Sequence, residues 1–306
     1  QIYPIELESE RQDVTRILMT SVRCFFTYLS APAELDLTTD WIFETHQLDK
    51  YFLCPRRNIH TFLLKRHCSF LGSKFASKSL SEETPDQNNL DIAHDLLLWG
   101  SSSDVTSGKL KLAAFYLAQD NFDMSKDVFS EIHKTFNYKI MRKGVFSFHT
   151  LQAIKSENRP TSQLISQYFA LPVYYHPSEI NCIPKALITE MFYSTGSDQD
   201  NPGKKFLEKF VRIDPHFYLF FLEFLCYHRQ NNRSHEKAAL ENMIFVNRYG
   251  DIQFKNTALN LLAYCLAQEG RLTNAYSIIC KSMKLTTEHN GAKWQIATLI
   301  NAAFRF

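Results

Sequence analysis

Apolar residues recur every three to four positions along most of this chain. The spacing is clear over residues 14–30, 61–78, 215–229 and 235–249, and it is typical of helices with a buried face. Alternation of apolar and polar residues, which marks a half-buried strand, is weak throughout, and Tyr138–Phe148 is the nearest candidate. The pattern therefore predicts an all-α fold.

One segment nearly repeats itself. Ala114–Asp120 (AFYLAQD) returns as Ala263–Glu269 (AYCLAQE), and the second amphipathic runs Phe122–Phe136 and Leu272–Leu285 follow the two copies. Small side chains where two helices cross let the helix axes approach to about 8–10 Å. Self-similarity of this kind is typical of stacked helical hairpins, whose usual work is to hold another molecule.

The last copy resembles the tetratricopeptide repeat. The matching residues are Leu262, Ala263, Leu266, Gly270, Ala275, Ile279 and Ser282. The earlier copy matches at Ala113, Ala114, Leu117, Ser125 and Phe129, with one residue fewer in the turn. We therefore expect helical hairpins stacked as a tetratricopeptide-like array, and an ordinary bundle with two similar hairpins is the alternative.

Polar stretches suggest where the chain divides. Residues 77–91 are polar and contain a proline, so we expect a helical region over residues 1–80. A linker with a short helix would follow over residues 81–107, and the repeat region would span residues 108–306. Periodicity is weaker between roughly residues 140 and 200, where helices are predicted over Leu164–Leu171 and Pro184–Ser194. A further short helix is predicted over Phe206–Val211.

The composition limits the classes of partner that we expect. With 34 basic and 32 acidic residues the net charge is +2, so nucleic-acid binding is possible but not favoured. No apolar run reaches about 18 residues, and we expect no membrane partner. Seven scattered cysteines, an odd number, favour reduced thiols and a cytoplasmic location. Because residue 1 is Gln, we expect that the sequence is a piece of a longer chain.

The usual catalytic and cofactor motifs are missing, so we expect no enzyme activity, no cofactor and no metal. Cys54, His60, His67 and Cys68 have donor atoms that suit zinc, but buried cysteines and surface histidines explain them better. Cys226 and His228 could be a nucleophile and a base, yet residues two apart on a helix point to different faces. We predict that Cys226 belongs to the core.

Residues 51–59 (YFLCPRRNI) and Pro215–His228 (PHFYLFFLEFLCYH) resemble segments of the Mab-twenty-one-like family, the animal relatives of cyclic GMP–AMP synthase. The first resembles a Tyr-Phe-Ile-x-x-Arg-Asn-Leu stretch of the family, and the second resembles a segment in the long C-terminal extensions of its bivalve members. The resemblance implies that residues 1–80 end the helical lobe and that a helical-repeat extension follows. The family's catalytic residues belong to an upstream core, so the resemblance implies no catalysis here.

We therefore expect a non-catalytic interaction or scaffold module, a fragment of a larger Mab-twenty-one-like protein, with a protein or peptide partner. In tetratricopeptide arrays the exposed face of the first helix binds the partner. Here that face would include Lys111, Phe115, Gln119, Asn260, Tyr264 and Gln268, unless these residues are merely solvated or packed against a neighbouring helix. The second hypothesis is the regulatory C-terminal tail of a cyclic GMP–AMP synthase-like nucleotidyltransferase in innate immune nucleic-acid sensing. RNA binding by a helical repeat is a third, weaker hypothesis.

Overall fold

A computed structural model describes residues 57–135, 170–191, 210–252, 254–285 and 290–303. The chain forms two compact units, residues 1–63 and 64–306, and nearly all of the described residues belong to the second. The predicted divisions near residues 80 and 107 stay predictions. Tyr138–Phe148, the nearest strand candidate in the sequence, lies outside the described residues.

Most of the described residues are helical, which confirms the all-α prediction in its coarse form. The helices are α1 Arg57–Ser79, α2 Gln87–Gly100, α3 Ser107–Ala118, α4 Phe122–Thr135, α5 Ile188–Met191, α6 Pro215–Arg229, α7 Arg233–Tyr249, α8 Lys255–Gln268, α9 Leu272–Leu285 and α10 Ala292–Ala303. The start of α6 shows how the sequence sets a boundary. The Asp214 carboxylate accepts hydrogen bonds from the backbone N–H groups of His216 and Phe217. Pro215 occupies the first turn, where a backbone N–H has no partner within the helix and its absence costs nothing.

The segment between α4 and α6 departs from the predicted helices. β1 (Val173–Tyr175) pairs antiparallel with β2 (Val211–Ile213), and Val173 lies opposite Ile213. Val211, predicted to end a short helix, is therefore in a strand, and Leu171 is not helical. Within the predicted helix Pro184–Ser194, the described residues form a 3-10 turn, Lys185–Leu187, followed by the short helix α5. Strands of three residues are too short to show an alternating pattern.

Three helical hairpins, α3–α4, α6–α7 and α8–α9, share one turn. The backbone is left-handed at Asp120, Asn231 and Gly270, with φ of 56°, 55° and 72°. The N–H of the next residue then donates to the carbonyl five positions earlier: Asn121 to Tyr116, Asn232 to Tyr227 and Arg271 to Leu266, at 2.9, 2.9 and 2.8 Å. This is the Schellman motif, which satisfies carbonyl groups at the end of a helix.

The common turn corrects the register of the sequence repeat. Because the turn of α3–α4 has the same length as that of α8–α9, Ala113 corresponds to Ala263, and the expected missing residue does not exist. Ser125 and Ala275, five residues after the left-handed position, are both fully buried. The Ser125 hydroxyl donates to the Ala113 carbonyl at 3.3 Å, so the small side chains do meet where the helices cross.

The hairpins bury one hydrophobic core. Their first helices, α3, α6 and α8, are buried along most of their length, whereas α4, α7 and α9 expose one side to solvent. Helix α6 packs against both helices of the preceding hairpin, and α8 packs against both α6 and α7. The first helices therefore form the interior of the assembly, and the second helices form part of its outer surface.

Gly270→Ala should lower the free energy of unfolding by about 1 kcal/mol, since a β-carbon is strained at positive φ. An added Cβ would meet no atom within 4 Å, so the cost comes from the backbone and not from crowding. Urea denaturation measures it. Asn231→Gly, at the matching position of α6–α7, should change stability little. An equal loss in both variants would contradict the role assigned to this turn.

Candidate functional site

The six residues predicted to face a partner have different surroundings. Lys111, Phe115 and Asn260 are buried, Gln119 and Tyr264 are half-buried, and Gln268 is exposed. The expected exposure is therefore wrong for the three buried residues. The reason is that α2 and β1, with the residues after β1, pack against α3, where His94 of α2 contacts Phe115, and that β2 and α10 pack against α8. The chain itself covers the face on which a ligand was expected.

Lys111 forms a buried ion pair with Glu179. Its Nζ lies 2.6 Å from Glu179 Oε1, and it also lies over the rings of Tyr175 and Phe70, at 4.8 and 5.5 Å from their centroids. The other carboxylate oxygen of Glu179 accepts the backbone N–H of His176 at 2.7 Å. Burial lowers the pKa of Lys111 and raises the pKa of Glu179, because removal from water disfavours both charges more than their attraction favours them.

Asn260 holds a second buried carboxylate. Its Nδ2 donates to Glu190 Oε1 at 2.7 Å and to Asn290 Oδ1 at 2.8 Å. Burial raises the pKa of Glu190 to about 7, although the hydrogen bonds from Asn260 and the Gly291 backbone oppose the shift. Glu190 Oε2 and Asn260 Oδ1 are buried without a hydrogen-bond partner among the described residues. A buried polar atom without a hydrogen-bond partner lowers stability, and protonation of Glu190 would reduce this cost by removing the charge of its carboxylate.

The remaining first helix, α6, makes an equivalent contact. The Tyr218 hydroxyl donates to the Tyr175 hydroxyl at 3.1 Å, and the two buried rings meet edge to face at 6.0 Å. Helices α3, α6 and α8 thus each have one polar side chain that bonds to a residue of the segment Val173–Glu190. We call this segment the internal strap.

An exposed aromatic surface on α7 was missed in the sequence. Phe245 and Tyr249 are 62% and 67% exposed, and their rings are 5.0 Å apart. Arg248 Cζ lies 5.6 Å from the Tyr249 centroid. We call Phe245, Arg248 and Tyr249 the α7 surface. Two aromatic residues four positions apart were its only sequence signal, and helical spacing alone does not distinguish an exposed aromatic pair from a buried one.

The candidate nucleophile Cys226 is buried, which confirms its prediction as a core residue. Its thiol lies 3.9 Å from the Phe122 carbonyl oxygen, whereas His228 Nδ1 contacts Glu236 Oε1 at 2.5 Å. Burial raises the pKa of Cys226 to about 11, so its thiol is a poor nucleophile at neutral pH.

The four residues with donor atoms that suit zinc, which the sequence assigned to other roles, are only partly described. Cys68 is buried, and burial raises the pKa of its thiol to about 12. Burial also lowers the pKa of His67 to about 4. Cys54 and the side chain of His60 lie outside the described residues.

Among the helices that the structure describes, none is long and apolar enough to cross a membrane.

Comparisons with known proteins identify no relative of this chain. No protein-family model matches it, and no curated protein and no solved structure matches it significantly. The basis for a functional conclusion is therefore the set of residues and contacts described above.

Proposed function

We propose that this chain is a non-catalytic interaction module built from tetratricopeptide-like helical hairpins. The observation that supports it is that α3, α6 and α8 bind the internal strap through the side chains of Lys111, Tyr218 and Asn260. These contacts are buried, polar and directional, and satisfied buried polar contacts of this kind fix one position for the segment that they hold. The module acts in the cytoplasm, consistent with the five free cysteines among its described residues.

An external partner then binds the outer surface, because the strap occupies the inner face. Among the described residues, the α7 surface fits this role best. Aromatic side chains and arginine dominate the energetics of protein interfaces, and the α7 surface presents both on adjacent turns of one helix. Their long side chains are anchored on a helix of 17 residues, so little backbone entropy is lost when a partner binds.

Phe245→Ser combined with Tyr249→Ser should weaken partner capture at least about tenfold without unfolding the chain, since hot-spot aromatics contribute about 2 kcal/mol each. The measurement compares the proteins that purified wild-type and variant chains capture, quantified by mass spectrometry. Tyr276→Ser is the matched control, because Tyr276 on α9 is 56% exposed but lies on another helix. Capture that survives the double substitution would reject this surface. Capture abolished by ribonuclease would instead favour RNA.

A second proposal concerns the parent protein. The resemblance of residues 51–59 and Pro215–His228 to the Mab-twenty-one-like family supports a C-terminal fragment of such a protein. In that case the module regulates or localises an upstream nucleotidyltransferase. Sequencing the transcript upstream of Gln1 tests this. A core with Gly-Ser and paired metal-binding acids would support the regulatory role, and a transcript without them would leave a scaffold.

A further inference from the structure

A histidine and two glutamates converge where the hairpins α6–α7 and α8–α9 meet. His228 comes from the last turn of α6, Glu236 from the first turn of α7, and Glu269 from the C-terminal cap of α8. One nitrogen or oxygen ligand atom from each residue lies within 4.8 Å of the other two. Arg233 Nη1 bridges the carboxylates, at 3.1 Å from Glu236 Oε2 and 3.0 Å from Glu269 Oε1.

The shared turn shows that the fold does not require this carboxylate. Glu236 lies five residues after the left-handed Asn231, the position that Ser125 and Ala275 occupy in the other two hairpins. Those hairpins make the same turn with a small, uncharged side chain. The Glu236 side chain is nevertheless 1% exposed, so a carboxylate is buried where the fold needs only a small residue. A buried carboxylate is costly unless a cation compensates it, and here Arg233 and His228 lie against Glu236 in the position that a metal ion could take.

We propose that His228, Glu236 and Glu269 bind a divalent transition-metal ion of the zinc class. One imidazole nitrogen and two carboxylate oxygens form a donor set that zinc accepts, with a fourth position left to water. Tetrahedral zinc needs ligand atoms about 3.3 Å apart, so side-chain adjustments bring the three atoms into place. The Arg233 side chain is 69% exposed and can move into solvent when the metal replaces its charge.

The metal would join two consecutive hairpins. Because His228 and Glu236 belong to α6–α7 and Glu269 to the end of α8, coordination would hold these hairpins in a fixed arrangement. If the metal binds the folded chain and not the unfolded chain, the free energy of unfolding rises with the logarithm of the metal concentration. This role is independent of the proposed partner surface.

The test is zinc binding to the full chain after dialysis against a chelator, measured by titration calorimetry and thermal unfolding. The wild-type chain should bind one zinc ion at this site and gain thermal stability. His228→Gln and Glu269→Gln should each weaken binding at least about tenfold, and His235→Gln, in the same hairpin, should not. Arg233→Gln should strengthen zinc binding, since it removes the competing cation. A purely structural ion-pair cluster would show no such gain.

Cobalt(II) as a second probe identifies the ligands. The proposed site lacks sulfur, so its cobalt complex should have no thiolate charge-transfer band, whereas binding at one of the free cysteines would produce one. The proposal fails if wild-type protein shows no zinc-dependent shift. It also fails if the shift persists in both ligand variants, provided that their circular dichroism shows they are folded.

Discussion

Lys111→Met should lower the free energy of unfolding by about 3–5 kcal/mol, the usual cost of breaking a buried ion pair from one side. Methionine can fill the space beside the Tyr175 and Phe70 rings, but it leaves Glu179 buried without its cation. The hydrogen bond from the His176 backbone to Oε2 would remain, but it does not neutralise the charge of the carboxylate. Urea denaturation at pH 7.5 measures the loss.

Two further variants separate the ion pair from general effects of losing a lysine. Lys126→Met removes a lysine that pairs with Asp123 on the surface of α4, and we expect no measurable change. Combining Lys111→Met with Glu179→Gln should recover most of the stability, because the amide oxygen still accepts the His176 N–H and no buried charge remains. If Lys111→Met behaves like Lys126→Met, the strap is not held by this contact.

The helices of the hairpins could be predicted because their patterning is local. Apolar residues at helical spacing place α6, α7, α8 and α9 in the sequence, and the small residues Ala263 and Ala275 mark where α8 and α9 cross. The same signal fails for α6–α7, where the corresponding positions hold Phe224 and Glu236. Only the turn at Asn231 shows that this hairpin belongs with the others.

The inner face could not be predicted because its partners are distant in sequence. Lys111 and Asn260 are polar residues in apolar helices, and patterning alone assigns such residues to solvent. Glu179 lies 68 residues after Lys111, and Glu190 lies 70 residues before Asn260. The strap that carries both glutamates combines a three-residue strand, 3-10 turns and one short helix, so it has no period to read.

Glu190→Gln should stabilise the protein at pH 8 by about 3 kcal/mol and have little effect at pH 4. The pKa of Glu190 is raised from 4.5 to about 7 in the folded chain, so folding favours the protonated form. The stability that this group contributes is full below pH 4.5 and is lost as the pH rises through 7. A pKa that is higher by about 2.5 in the folded chain corresponds to about 3 kcal/mol of unfolding free energy.

The substitution isolates this charge because glutamine keeps the contacts. The amide oxygen can accept the hydrogen bond that Asn260 Nδ2 donates to Oε1, and the amide nitrogen replaces Oε2, which has no partner among the described residues. Chemical denaturation of both proteins between pH 4 and 9 gives the difference in unfolding free energy, which should rise between pH 4.5 and 7 and then level off. Glu241→Gln, an exposed acid on α7, should show no such rise. A pH-independent difference for Glu190→Gln would mean that folding does not shift the pKa of Glu190, and it would contradict this prediction.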